Sequence, residues 1–113
     1  KDCEEFLHLP EPTEHSDPSW FGFPITLKDS CPVTRLDLLT YLDQNKVGTR
    51  LLFAGNLTSQ PYMIRANYRI SGDLTNTENV MNNTFWIGVQ PALTREMLEF
   101  AAVKIESYLG VNF

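Results

Sequence analysis

The sequence predicts an α+β fold: a small, largely antiparallel sheet covered by helices. Three observations carry this. Apolar residues alternate with period two over residues 20–27 and 85–89, as on strands with one buried face. Threonines stand where helices should open, at Thr34, Thr75 and Thr94, ahead of apolar residues at helical spacing. The resulting order is strand, helix, strand, loop, helix, strand, helix, in a chain of 113 residues that suits one modest core.

Residues 1–18, KDCEEFLHLPEPTEHSDP, read as an extended lead-in, with prolines at 10, 12 and 18 among acidic and polar residues. His15, Ser16 and Asp17 lie there as immediate neighbours. A catalytic triad instead converges from separate elements, so a solvated loop is the better reading. The folded unit is expected over 19–113. In the first strand Phe21, Phe23, Ile25 and Leu27 share one face, which reads as core, and Trp20, Gly22, Pro24 and Thr26 share the other. Pro24 cannot donate to a ladder and calls for an edge or a non-donating position. Gly22 thins the second face, so that something can approach it.

Thr34 caps a helix with Asp37 in its first turn and Leu38, Leu39 and Leu42 on its apolar stripe, ended by residues 45–48. Residues 49–53 resume as a strand and run into a glycine loop. Thr75-Asn-Thr-Glu78 is a capping-box pattern that predicts a short helix to about Asn82. A strand with Phe85, Ile87 and Val89 on one face ends at Pro91. On the last helix Leu98, Ala101, Ala102, Ile105 and Leu109 form one stripe, while Phe100 and Val103 fall opposite. Two faces of that helix ask for burial.

Net charge is −5, and the nine basic residues are scattered, so there is no stripe for a phosphate backbone and nucleic acid is excluded as a partner. Apolar runs are far shorter than a membrane span, and no signal-like segment opens the chain. Cys3 and Cys31 lack metal-ligand spacing and read as free thiols. Asn56-Leu57-Thr58 and Asn82-Asn83-Thr84 match the glycosylation acceptor pattern, which has meaning only in a secreted protein. The chain opens at Lys1 without a methionine, which reads as a piece of something longer.

No nucleophile–base pair, metal cluster or phosphate-binding glycine motif is visible, so no self-contained active site is expected. The chemistry concentrates in TRLLFAGNLTSQPY, residues 49–62. Arg50 points away from the Leu51 and Phe53 face, and its planar guanidinium suits a phosphate or carboxylate; the plain alternative is a surface salt bridge. Gly55 permits close backbone approach, and the Asn56 and Gln60 amides match sugar hydroxyls; the plain alternative is a turn.

The separated runs SDPSWFGFPI, GTRLLFAGNLTSQPY, NTENVMNNTFWIGV and LTREMLEFAAVKIESYLGVNF together resemble the C-terminal part of the CDP-4-keto-6-deoxy-glucose 3-dehydrases of lipopolysaccharide biosynthesis. These belong to the sugar aminotransferase family of fold type I pyridoxal phosphate enzymes. The resemblance covers about residues 9–113 and implies the small domain of a cytoplasmic enzyme, with pyridoxal or pyridoxamine phosphate held by a missing N-terminal large domain. It implies removal of the C3 hydroxyl from a CDP-4-keto-6-deoxyhexose, with a histidine base in place of the usual Schiff-base lysine. It further implies a homodimer and, as in some members, an upstream iron–sulfur cluster and a reductase partner. This piece alone would bind no cofactor, carry no catalytic residue and be inactive. Its share would be substrate walls: Trp20 and Phe21 near the cleft, and Arg50, Phe53, Asn56 and Gln60 along its rim. The family often has TRQP where Thr58-Ser59-Gln60-Pro61 stands, and a basic residue at the position of Asn79, so the substrate need not be the same. The alternatives are a nucleotide-sugar 4-aminotransferase small domain, a stand-alone small-ligand module, and an extracellular domain with a Cys3–Cys31 bond and glycans.

Overall fold

Phe85 is wholly buried at the centre of the sheet, and the rest of the chain packs around it in a computed structural model that describes residues 2–110. Four strands, β1 (Leu7–His8), β2 (Gly22–Leu27), β3 (Thr49–Leu51) and β4 (Thr84–Gly88), lie in the order β1-β2-β4-β3 and are antiparallel at every pairing. Leu7, Ile25, Leu27 and Phe85 face the core from the sheet. Helix α1 (Arg35–Gln44) brings Leu38 and Leu42, and α3 (Arg95–Leu109) brings Ile105 and Leu109. Tyr41 and Tyr108 stack at 4.5 Å where these two helices meet. Burying one such aliphatic side chain stabilises the fold by about 1.5–3 kcal/mol.

Two of the three predicted helix caps form as expected. Thr34 accepts from the Asp37 backbone N–H at 3.2 Å, and Thr94 accepts from that of Met97 at 3.3 Å. The predicted capping box does not form. Helix α2 (Thr75–Asn83) starts one residue after its cap, Leu74, and the Asp73 carboxylate accepts from the Thr75 N–H instead. That backbone bond, with a second from the Thr75 hydroxyl, holds the Asp73 carboxyl below its ordinary range. Glu78 thereby becomes available to another segment, described below.

The lead-in is partly structural. Residues 2–5 form a short 3-10 turn, and Leu7 pairs with Leu27 and is 3% exposed, so the sheet begins before residue 19. Phe21 is not a core residue: β2 starts at Gly22, opposite Gly88 at the end of β4, and without a ladder the alternation stops there. The strand expected over 49–53 ends at Leu51. The Phe53 N–H donates to the Leu51 carbonyl at 2.8 Å, and Phe53 turns to φ +49°. On α3 only the C-terminal half of the expected stripe is buried, while Leu98 is half exposed beside Phe100 and Val103. Cys31 carries a free thiol, so the Cys3–Cys31 bond required by the extracellular reading is not formed. Asn56 is buried, which closes that acceptor position to a glycan.

Candidate functional site

The face of the sheet turned away from the core is built from residues that alternation places together: Pro24 opposite Trp86, and Trp86 opposite Arg50. At one edge of this patch Thr26 and Thr84 share a hydroxyl hydrogen bond of 2.7 Å. Trp86 lies flat over Gly22. A Cβ at residue 22 would stand 2.8 Å from Cδ2 and 2.9 Å from Cζ3 of the indole, so glycine is a steric requirement. The something that Gly22 lets approach the second face is Trp86 itself.

Two further rings close on the indole. Phe21 packs at 5.0 Å with planes inclined by 59°, and Phe53 meets it edge-on at 5.2 Å and 68°. These are favourable aromatic geometries. Phe21 is 79% and Phe53 76% exposed, so both rings present most of their surface outward. A left-handed backbone is uncommon for a bulky residue, and Phe53 adopts it where its ring reaches Trp86.

A cleft of about 310 Å³ opens beside this group, lined by Phe21, Gly22, Thr49, Arg50, Trp86 and Gly88 among others. Arg50 is exposed, with one Nη1 bond of 2.9 Å to the Thr49 carbonyl. Among the described residues the ion pairs are Glu14–His15 and Arg95–Glu99, so Arg50 is not held in a surface salt bridge. Most of its guanidinium donors are left for an anionic or carbonyl group.

The structure thus gathers Phe21, Arg50 and Phe53 but not the remaining residues expected at the site. Trp20 lines a different, apolar groove of about 470 Å³ on the helix side of the sheet, with Leu7, Phe23, Val89 and Leu98. Asn56 is 3% exposed; its Oδ1 accepts from the Thr58 backbone and hydroxyl, and its Nδ2 donates to Glu78. Ser59 also donates to Glu78, at 3.1 Å. The Gln60 amide donates to the Ala54 carbonyl at 2.8 Å. Asn56 and Gln60 therefore fix the loop behind Phe53 and do not face the cleft. Gly55 likewise makes room for Met81 of α2, whose Cβ would lie 2.7 Å from a Cβ at 55, and not for a ligand. Trp86 is the site residue that sequence reasoning passed over. Its signal was present as the large residue at the polar position of an alternating strand, opposite a thinned face.

Among the described residues no group of three or more His, Cys, Asp or Glu side chains gathers as metal ligands, and no helix is long and apolar enough to cross a membrane. The model of the DegT/DnrJ/EryC1/StrS aminotransferase family matches residues 1–105. The lipopolysaccharide biosynthesis protein RfbH of Salmonella typhimurium is 59% identical over 98% of this chain and 25% of its own length. The dTDP-4-dehydro-2,6-dideoxy-D-glucose 3-dehydratase of Saccharopolyspora spinosa is 44% identical over 92% of this chain and 22% of its own. A solved GDP-4-keto-6-deoxymannose-3-dehydratase with a trapped PLP–glutamate geminal diamine superposes with a TM-score of 0.73 at 25% identity, covering 87% of this chain and 25% of that one. The chain spans about a quarter of the length of the curated relatives it matches.

Proposed function

Because the chain belongs to the DegT/DnrJ/EryC1/StrS aminotransferase family, we propose that it is the C-terminal small domain of a pyridoxal- or pyridoxamine-phosphate-dependent 3-dehydratase acting on a nucleotide-linked 4-keto-6-deoxyhexose, with CDP as the nucleotide. The family relatives support the reaction class, since one that is 44% identical over 92% of this chain is itself a nucleotide-sugar 3-dehydratase. The single observation that carries this domain's part is the unpaired Arg50 guanidinium beside the three-ring group of Phe21, Trp86 and Phe53.

The residues at hand do not make a cofactor site by themselves. The cleft has no lysine or histidine among its lining residues to meet an aldehyde. When bound by the rest of the protein, the cofactor supplies an electron sink for breaking a bond beside the sugar carbonyl. What this chain contributes is binding and exclusion of water. The aromatic rings cover the apolar face of a hexose, and Arg50 offers charge-assisted hydrogen bonds to a phosphate oxygen. Both effects hold the substrate in one orientation and lower the entropic part of the barrier.

The test is product analysis with the full-length enzyme, pyridoxamine phosphate and CDP-4-keto-6-deoxy-D-glucose. Loss of the C3 oxygen supports the reading. A product that keeps the C3 hydroxyl and gains an amine at C4 replaces it with a 4-aminotransferase, and no turnover of any 4-keto nucleotide sugar removes both.

A further inference from the structure

The indole N–H of Trp86 is closed off from water and has no hydrogen-bond partner among the described residues. Indole is a donor with a single N–H, and a buried donor left unmade is rare in native proteins and costly to the fold. Its place is not in the core. Trp86 sits on the face turned from α1 and α3, between two rings that are themselves more than three-quarters exposed, and it forms part of the cleft beside Arg50. A second irregularity coincides with it, since one of the two rings packed on the indole, Phe53, stands on a left-handed backbone just past the end of β3. The segment behind Phe53 is fixed by Asn56, Gln60 and Glu78, so its ring can swing about its own side-chain bonds while the loop stays in place.

We propose, resting on the nucleotide-sugar reading above, that Trp86 is a substrate-positioning residue whose indole N–H donates to an oxygen of the hexose, reached when the Phe21 or Phe53 ring turns aside. The sugar is favoured over the base by the shape of the aromatic group. The rings are inclined by 59° and 68° to the indole and leave no pair of parallel faces to sandwich a flat base. An inclined cup suits a puckered ring, with C–H edges toward the aromatic faces and an oxygen toward the donor. Arg50, in register with Trp86 across the β3–β4 ladder, then lies on the diphosphate side.

The experiment measures dissociation constants of the full-length enzyme and its Trp86→Phe variant for two probes, CDP-4-keto-6-deoxy-D-glucose and CDP alone. Phenylalanine keeps a ring over Gly22 and removes only the donor and the second ring. The expected result is about three- to tenfold weaker binding of the sugar nucleotide, the range for one neutral hydrogen bond, with CDP unchanged. Equal binding of the sugar nucleotide by both proteins overturns the proposal, as does equal weakening of both probes. In the wild type, indole ¹⁵N–¹H spectra give a readout that needs no folded variant: the Trp86 resonance must shift on adding the sugar nucleotide and stay in place on adding CDP. An indole signal indifferent to the sugar assigns the donor's partner to the rest of the protein. If the wild type binds neither probe, it is the nucleotide-sugar reading that falls.

Discussion

Gly22 and Trp86 form one unit, because the indole occupies the space where any side chain at 22 would stand. Gly22→Ala must push the indole off the strand, and overpacking of this kind costs about 1–3 kcal/mol, read by equilibrium denaturation. An unchanged midpoint would mean that Trp86 does not rest there. Phe53 offers a contrasting case, in which the backbone and not the packing is under tension. Asparagine tolerates a left-handed conformation and valine does not, so Phe53→Asn should exceed Phe53→Val in unfolding free energy by about 1–2 kcal/mol, although valine is the more apolar. The opposite order would show that residue 53 keeps no such backbone. Neither feature was legible in the sequence. A glycine announces that something comes close without naming it, and Phe53 looked like the next apolar residue of a strand.

At the scale of elements, the regular parts were readable because period and caps coincide. Thr34 and Thr94 cap the helices they were expected to cap, and Ile25, Leu27 and Phe85 point inward as alternation requires. What could not be read was set by pairing partners. β2 loses its alternation where β4 ends, which puts Phe21 on the exposed side, and Thr75-Asn-Thr-Glu78 loses its box because Asp73 takes the Thr75 N–H, which leaves Glu78 to anchor Asn56 and Ser59. The loop amides expected at the cleft are used for the same anchoring. The lead-in illustrates the reverse error: three prolines hid a two-residue strand that places Leu7 in the core. Leu7→Ala should therefore destabilise by about 2–4 kcal/mol, as for other buried leucines, in chemical denaturation. A change within about 0.5 kcal/mol would return residues 1–18 to the status of a dispensable tail.

The whole molecule has one buried core and two surfaces that stay unfinished. On the helix side Leu98 lines the groove that holds Trp20, and Phe100 and Val103 of α3 are likewise about half exposed. If the chain is the small domain proposed above, this exposed apolar surface fits contact with the rest of that protein. Amide exchange at Phe100 and Val103 should slow when the full-length protein is compared with this domain, and equal protection would count against that contact. On the opposite side stands the aromatic cleft with Arg50. The most direct test is kcat/KM of the full-length enzyme and its Arg50→Ala variant with CDP-4-keto-6-deoxy-D-glucose. A guanidinium that binds the substrate's charged group should cost about 1.5–3 kcal/mol of transition-state stabilisation when removed, a loss of at least about tenfold. A difference under about 0.5 kcal/mol would place Arg50 on ordinary solvated surface and leave this domain without a part in the site.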